Sequence, residues 1–266
     1  MPEESPYRAE LTADCARCFG LCCVAPGFAA SGDFAISKPA GAPCPNLGDD
    51  FRCRIHDRLR PSGFTGCTVF DCYGAGQKVA QVTFSGTDWR RDPGLARPMF
   101  AAFAVMRQLH ELMWYLDQAR SLPPAAPVRA EATAALAELS RLTRLGPAEL
   151  ATADLGPARE RAGAALRRAG QLVRAAVLGC FLDRAGEPLG GGDLARAAGL
   201  SPATLGAVLG RLVREQSVSA REAAAPSEAG APRPVYVLTA QGAQRARDEA
   251  SALEGSRQPG RPPRPR

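Results

Sequence analysis

The chain has 266 residues, of which 45% are hydrophobic, enough for one large domain or two ordinary ones with separate cores. No apolar run approaches the roughly 20 residues of a membrane-spanning helix, and the opening MPEESPYRAEL lacks the apolar stretch of a secretory signal. We therefore expect a cytoplasmic protein with no membrane partner. In a reducing compartment, nine cysteines are better suited to metal ligation or redox chemistry than to structural disulfides.

The net charge of +6 is unevenly distributed along the chain. Residues 161–266 hold 16 Arg and 9 Asp plus Glu, whereas residues 1–160 hold 17 Lys plus Arg and 18 Asp plus Glu. The basic excess of the C-terminal part favours a polyanionic partner for that part. Four of its arginines lie in the Arg/Pro-rich tail 255–266, for which we expect disorder.

Taken in chain order, the predicted elements give a mainly α fold with small β elements: an irregular Cys-rich module, a helical middle and a C-terminal winged helix. The module spans 11–92 and has too few large apolar residues for a core of its own, so cross-linking by a metal or by disulfides would help it fold. Near its end, the alternating VAQVTF at 79–84 predicts a short strand.

A helical connector is predicted over 93–157. Apolar residues at three- and four-residue steps predict helices over 95–120 and about 128–144, and prolines separate these helices. His110, in the first of them, is expected to be an ordinary helix residue. The predicted inward residues are Phe100, Phe103, Met106, Leu109, Leu112, Met113 and Leu116 in the first helix and Ala135, Leu136, Leu139 and Leu142 in the second.

The last domain is predicted over 158–254. It opens with a helix over 158–184, which is followed by a short helix, Asp193–Ala198, with Asp193 as its N-cap. A turn with Ser201 as cap then leads into a helix over about 202–215, which is helix-turn-helix spacing. Two strands, 217–221 and 235–238, enclose a loop that reads as a wing, and a final helix follows.

Eight of the nine cysteines form two half-sites, 15–23 and 44–72. A C-x-x-C pair lets two thiolates reach one ion from a single turn, and two distant half-sites joined by an ion would organise the intervening chain. Buried thiols or disulfides are the alternative, and His56 is either a ligand or a surface residue. The ion is open between zinc and an iron–sulfur cluster, and eight thiols allow two sites or some free thiols. The predicted ligands are Cys15, Cys18, Cys22, Cys23, Cys44, Cys53, His56, Cys67 and Cys72.

Two stretches carry family resemblances. CARCFGLCC, CPNL, FRCRIHDRLRP and GCTVFDCYG resemble a cysteine-rich family described as a zinc- or iron-chelating domain. More closely, residues 11–145 resemble the N-terminal region of actinobacterial pentapeptide-repeat proteins, although no run of pentapeptides follows. This resemblance implies metal chelation. VYVLTAQGAQRA, together with the preceding helices, resembles the winged helix-turn-helix of PadR- and MarR-like bacterial regulators.

The second resemblance implies DNA binding with the helix 202–215 in the major groove. The residues placed there, or on the wing, are Ser201, Thr204, Arg211, Arg214 and Arg233. Only Thr204 and Arg211 suit direct base readout, so phosphate contact is expected rather than strong sequence specificity. Winged helices also serve as protein-interaction modules, and a protein partner is the alternative. Cys180 is expected to be a small buried apolar residue.

These observations lead to the hypothesis of a cytoplasmic DNA-binding transcriptional regulator whose Cys-rich module senses a metal or thiol oxidation. A homodimer is one of the partners that this hypothesis allows. One alternative is a metal-handling protein whose winged helix binds a protein partner. A second is a thiol redox or maturation factor that uses a C-x-x-C pair. The sequence shows no Ser/His/Asp set, phosphate loop or paired catalytic carboxylates, so we do not expect an enzyme.

Overall fold

The computed structural model describes residues 5–184, 186–222 and 234–255. Within them the protein is mainly α-helical and carries one small three-stranded antiparallel sheet, which confirms the predicted fold class at this level. The chain divides into two compact units, Met1–Gln118 with Ala130–Leu166, and Ala119–Arg129 with Arg167–Arg266. No helix in the described part of the chain combines the length and apolarity needed to cross a bilayer.

The cysteine-bearing part of the first unit consists of short helical turns and loops. Its α-helices are α1 (Leu21–Val24), α2 (Thr65–Val69) and α3 (Ala75–Gln77), and two 3-10 turns cover Cys15–Arg17 and His56–Arg58. Extended pairing among its described residues is limited to isolated bridges, Phe28 with Lys38 and Leu47 with Cys53. Loop-to-loop bonds, rather than a regular sheet, therefore position the cysteines.

The strand predicted over 79–84 is wrong, because this segment is a π-helix, Lys78–Thr83. The Phe84 N–H donates to the Val79 carbonyl at 3.0 Å, which is an i to i−5 bond. Val79 and Ala80 are both fully buried, whereas Val82 is 60% exposed. A strand would place neighbouring residues on opposite faces, so this burial pattern is incompatible with a strand despite the alternating letters.

Four further helices take part in the packing of the first unit, the last of them only as far as Leu166, because the residues from Arg167 belong to the second unit. The predictions for three of these helices are confirmed to within a few residues. The four helices are α4 (Ala96–Ser121), α5 (Arg129–Leu142), α6 (Pro147–Thr152) and α7 (Gly156–Leu182). The core includes the predicted apolar faces of α4 and α5 and apolar residues from the Cys-rich segment, such as Leu21 and Val24. The Cys-rich segment thus shares a core with these helices, as its own shortage of apolar residues requires.

The second unit contains the sheet and three further helices. The strands are β1 (Leu189–Gly190), β2 (Val218–Glu222) and β3 (Pro234–Leu238), and the helices are α8 (Gly191–Ala198), α9 (Pro202–Arg214) and α10 (Ala240–Gly255). β3 lies in the centre and pairs antiparallel with both neighbours, with Tyr236 opposite Leu189 and Ala220. Helices and sheet enclose a core that includes Phe181, Leu194, Leu205, Leu209, Leu212 and Val218.

The N-cap of α8 differs from the prediction. Gly190, not Asp193, occupies that position, because β1 leads directly into the helix through the extended backbone of Gly190. Asp193 lies instead in the first helical turn, where a carboxylate is favourable toward the helix dipole. The predicted cap of α9 is confirmed, since the Ser201 hydroxyl accepts the Thr204 N–H at 3.1 Å.

Arg174 of α7 connects three helices of the second unit. Its guanidinium pairs with Glu215 just after α9, and its Nε donates to Glu249 of α10 at 2.9 and 3.0 Å. The Arg174 side chain is only 18% exposed, and those of Glu215 and Glu249 are 30% and 34% exposed. This partly buried network fixes the C-terminal end of α9 to the rest of the unit.

Candidate metal centre and nucleic-acid interface

The first predicted half-site is formed by two successive turns. Asp14 caps the 3-10 turn that carries Cys15, accepting the Ala16 N–H at 2.9 Å. Phe19 and Gly20 then adopt left-handed backbone conformations, with φ of 52° and 65°. A Cβ on Gly20 would lie 2.7 Å from Leu47 Cδ1, so a residue without a side chain is needed there. This reversal begins α1, which carries Cys22 and Cys23 with their sulfurs 3.9 Å apart.

The second half-site approaches the first through backbone contacts. The Cys44 N–H donates to the Cys23 carbonyl at 3.0 Å, which joins the two half-sites directly. Gly76 packs so closely on Cys18 that a Cβ would lie 2.8 Å from the Cys18 Cβ. Both ends of the 44–72 segment, at Cys44 and just before Gly76, are therefore next to the 15–23 segment.

Six other cysteines of the Cys-rich segment lie near Cys22. Cys22 is within electrostatic range of Cys15, Cys18, Cys23, Cys53, Cys67 and Cys72. Cys44 interacts with Cys53 and Cys67, and His56 with Cys15. Within the described residues, however, no three His, Cys, Asp or Glu side chains already surround a point where an ion could sit. The donor set suits a thiophilic ion.

Cys15 and Cys18 occupy unlike environments. Cys15 is exposed, whereas Cys18 is 6% exposed. The hydrogen bond from the Cys18 thiol lowers the pKa of Cys15 to about 6, against an opposing contribution from burial, and the nearby His56 and Arg52 lower it further. The same hydrogen bond, together with burial, raises the pKa of Cys18. Burial also raises the pKa of Cys53, Cys67 and Cys72.

Aromatic contacts hold the turns that carry these cysteines. The Trp89 Nε1–H donates to the Phe19 carbonyl at 3.0 Å, and the Trp89 ring lies 5.7 Å from that of Phe51. Arg90 stacks over Phe51 at 4.4 Å and donates to the carbonyls of Gly48 and Asp49. The spacing of the cysteines did not indicate these supports.

His110 supports the Cys72 turn from α4. It is fully buried, and its Nδ1 lies 2.7 Å from the Tyr73 carbonyl oxygen, which can only accept, so Nδ1 donates. Its Nε2 has no hydrogen-bond partner among the described residues. Burial lowers the pKa of His110, and the Tyr73 hydrogen bond opposes that effect. Sequence reasoning treated His110 as an ordinary helix residue, because nothing local marks this contact.

The residues predicted to contact DNA lie on α9, apart from Arg233, which falls outside the described residues. The Ser201 and Thr204 hydroxyls are 2.9 Å apart and bonded to each other. The Arg211 side chain is 73% exposed, but its Nε donates to Glu215 at 2.8 Å. Arg214 is exposed. Three of these side chains thus already have a partner within the protein, and Arg211 must exchange Glu215 for any phosphate.

Comparison with known proteins gives one informative similarity. No family model and no solved structure matches the chain. The chain is 46% identical over 166 residues to YybG of Bacillus subtilis (strain 168), described as an uncharacterized protein. The match covers 62% of this chain and 60% of YybG, so the chain spans less than two thirds of this relative.

Proposed function

We propose that this protein is a DNA-binding transcriptional regulator whose cysteine-rich unit binds zinc or an iron–sulfur cluster through thiolates. The observation that carries the DNA-binding part is the element order of the second unit. Helix α7, β1, α8, α9, the β2–β3 pair and α10 follow one another in the order of a winged helix, with α9 in the place of the recognition helix. The basic excess of this part of the chain supports a polyanionic partner.

The contacts of α9 favour recognition of the DNA backbone over base readout. Its N-terminal cap leaves the Ser201 and Thr204 hydroxyls exposed at the end of the helix, where the dipole favours a phosphate. Arg211 and Arg214 lie toward the other end, and small residues such as Gly206, Ala207 and Gly210 occupy the surface between them. A surface with few long donors approaches the duplex closely but distinguishes few base pairs.

The metal-binding part is supported by the proximity of the thiols: six cysteines lie within electrostatic range of Cys22, Cys44 lies near Cys53 and Cys67, and His56 lies near Cys15. Such a donor set suits zinc or an iron–sulfur cluster. The residues that would hold the metal are the nine predicted ligands. A bound ion would cross-link the two half-sites, so that the metal-loaded protein would differ in conformation from the metal-free protein.

Fluorescence anisotropy with DNA from upstream of the protein's own gene tests the proposal. Each arginine that contacts phosphate contributes a slope of about −0.9 to the plot of log affinity against log salt, so Arg214→Ala should make the slope less negative by about that amount. Arg91→Ala is the matched control, since Arg91 is 87% exposed and belongs to the other unit. Binding that is absent, or equal for metal-free and metal-loaded protein at every salt concentration, contradicts the regulator.

A thiol redox function is the second candidate, because an exposed Cys15 lies three residues before a buried Cys18. An attacking thiol must be accessible, and a resolving thiol is protected until the mixed disulfide forms. Mass spectrometry after brief oxidation distinguishes the two functions. A Cys15–Cys18 disulfide that forms in metal-loaded protein favours redox chemistry, whereas thiols protected by metal favour ligation.

A further inference from the structure

Lys38 is a buried cation inside the cysteine-rich unit. Only 4% of the residue is exposed. Its Nζ donates to the carbonyl oxygens of Val24 at 3.1 Å, Pro39 at 3.1 Å and Ala42 at 2.8 Å. An ammonium has three protons to donate, so these three acceptors satisfy it completely.

The three carbonyls lie where the two cysteine half-sites join. Val24 follows Cys23, and Ala42 lies two residues before Cys44, whose N–H donates to the Cys23 carbonyl at 3.0 Å. Lys38 also forms an antiparallel bridge with Phe28, with backbone bonds of 2.9 and 2.8 Å. The Lys38 side chain therefore connects the chain that leaves the first half-site to the chain that enters the second.

Hydrogen bonds to neutral carbonyls do not supply the negative charge that a buried ammonium needs. Burial accordingly lowers the pKa of Lys38, and the nearby Cys44 and Cys23, which would carry negative charge as thiolates, oppose that effect. A divalent ion held by four thiolates carries a net charge of about −2, and a buried cation beside it offsets part of that charge. Lys38 thus suits a thiolate complex better than it suits a set of neutral thiols.

We propose that Lys38 is a positioning residue of the metal centre, which joins the two half-sites and acts as a fixed counter-cation for an anionic thiolate complex. This inference rests on the proposed metal-binding function.

Titration of full-length, reduced, metal-free protein with Co²⁺ tests the role of Lys38, because thiolate-to-cobalt charge-transfer absorption reports sulfur ligation and competition with a chelator gives the affinity. Lys38→Met should bind Co²⁺ at least about tenfold more weakly, the usual lower bound for loss of a group that supports metal ligands. Lys78→Met is the matched control: it removes the chain's other lysine, which is paired with Glu10 at 2.8 Å. Its affinity should equal that of the wild type.

Lys38→Gln separates the hydrogen bonding of Lys38 from its charge, because an amide keeps hydrogen-bond donors but is neutral. We expect it to fold like the wild type by circular dichroism and still to bind Co²⁺ more weakly. If Lys38→Gln and Lys38→Met lower only the melting temperature of metal-free protein, and affinity is unchanged where all variants are folded, Lys38 is merely structural and the inference is wrong. A wild-type protein with no thiolate-to-cobalt band overturns the metal-binding function itself.

Discussion

Replacement of Arg174 tests whether a partly buried ion-pair network holds α9 in place. Arg174→Met keeps the aliphatic stem and removes both pairs, leaving Glu215 and Glu249 without their shared cation. Fully exposed pairs contribute about 0.2–1 kcal/mol, and breaking a fully buried pair costs about 3–5 kcal/mol. Side chains that are 18–34% exposed lie between these limits. We expect about 1 kcal/mol for each pair, or about 2 kcal/mol in total.

Hydrogen exchange measured by mass spectrometry reports the loss of stability separately for each of the two units. A loss of about 2 kcal/mol should speed exchange of the α9 and α10 amides about 30-fold, since every 1.4 kcal/mol is a factor of ten. Amides of the first unit serve as the internal reference. Arg167→Met is the control variant, because Arg167 lies on the same helix but is exposed.

A double-mutant cycle with Glu249→Gln isolates one pair, and we expect a coupling energy of about 1 kcal/mol. Coupling below about 0.3 kcal/mol, or equal exchange in Arg174→Met and Arg167→Met, would refute the reasoning. The network also has a pH signature. Hydrogen bonds from Arg211 and Arg174 lower the pKa of Glu215, so its stabilising contribution is complete above the pKa of an unfolded glutamate and is lost as the pH falls through the folded value.

Three further predictions concern His110, the cap of α9 and the glycine contact of α10. Burial lowers the pKa of His110, so its contribution to stability is complete above about pH 6.5 and declines as the pH falls. Between pH 7.5 and 5.5, the melting temperature should therefore fall less for His110→Gln than for the wild type. Parallel curves of melting temperature against pH would contradict this prediction. Ser201→Ala removes the cap of α9 and should destabilise the second unit by about 1 kcal/mol in urea unfolding, with Ser201→Asn nearly neutral. Gly242→Ala would place a Cβ 1.9 Å from the Ser217 carbonyl oxygen and should prevent correct packing of α10. The Cβ of Gly206→Ala meets nothing within 4 Å, and this variant should stabilise α9 by up to about 1 kcal/mol. Similar melting temperatures for the two alanine variants would show that the contact with Ser217 does not require glycine at position 242.

Periodicity predicted the long helices because each buries one continuous apolar face. The buried Met106, Leu109 and Met113 of α4 follow helical spacing. The same reasoning was wrong for 79–84, where six residues contain too few periods to distinguish a strand from a helix. It also missed β1, whose two residues are too short to show a pattern and depend on pairing with distant β3.

The cysteine spacing predicted two half-sites, but not what brings them together. Metal is expected to close the loop between 23 and 44, and in the structure a backbone bond and the Lys38 side chain span the same loop. A lone lysine between Ser37 and Pro39 carries no local signal of burial. Its role follows only from carbonyl oxygens placed around it by the fold, and the identity of any metal stays a prediction.

Backbone strain beside the cysteines shows how a segment without much core of its own is held in shape. Phe19, Phe51 and Tyr73 have positive φ, and each lies within two residues of a predicted ligand. Such conformations cost about 1–3 kcal/mol for residues other than glycine and persist only where surrounding contacts enforce them.

Each strained turn has such a contact from the chain that follows the cysteines. Trp89 binds the Phe19 carbonyl and packs on Phe51, and His110 binds the Tyr73 carbonyl. Anchors from Trp89 and from α4 thus set the backbone geometry of the turns that carry the thiols, which would leave fewer arrangements for a metal to order under the proposed function. This explains why cysteine spacing alone, read without Trp89 and His110, predicts the ligands but not the geometry of the site.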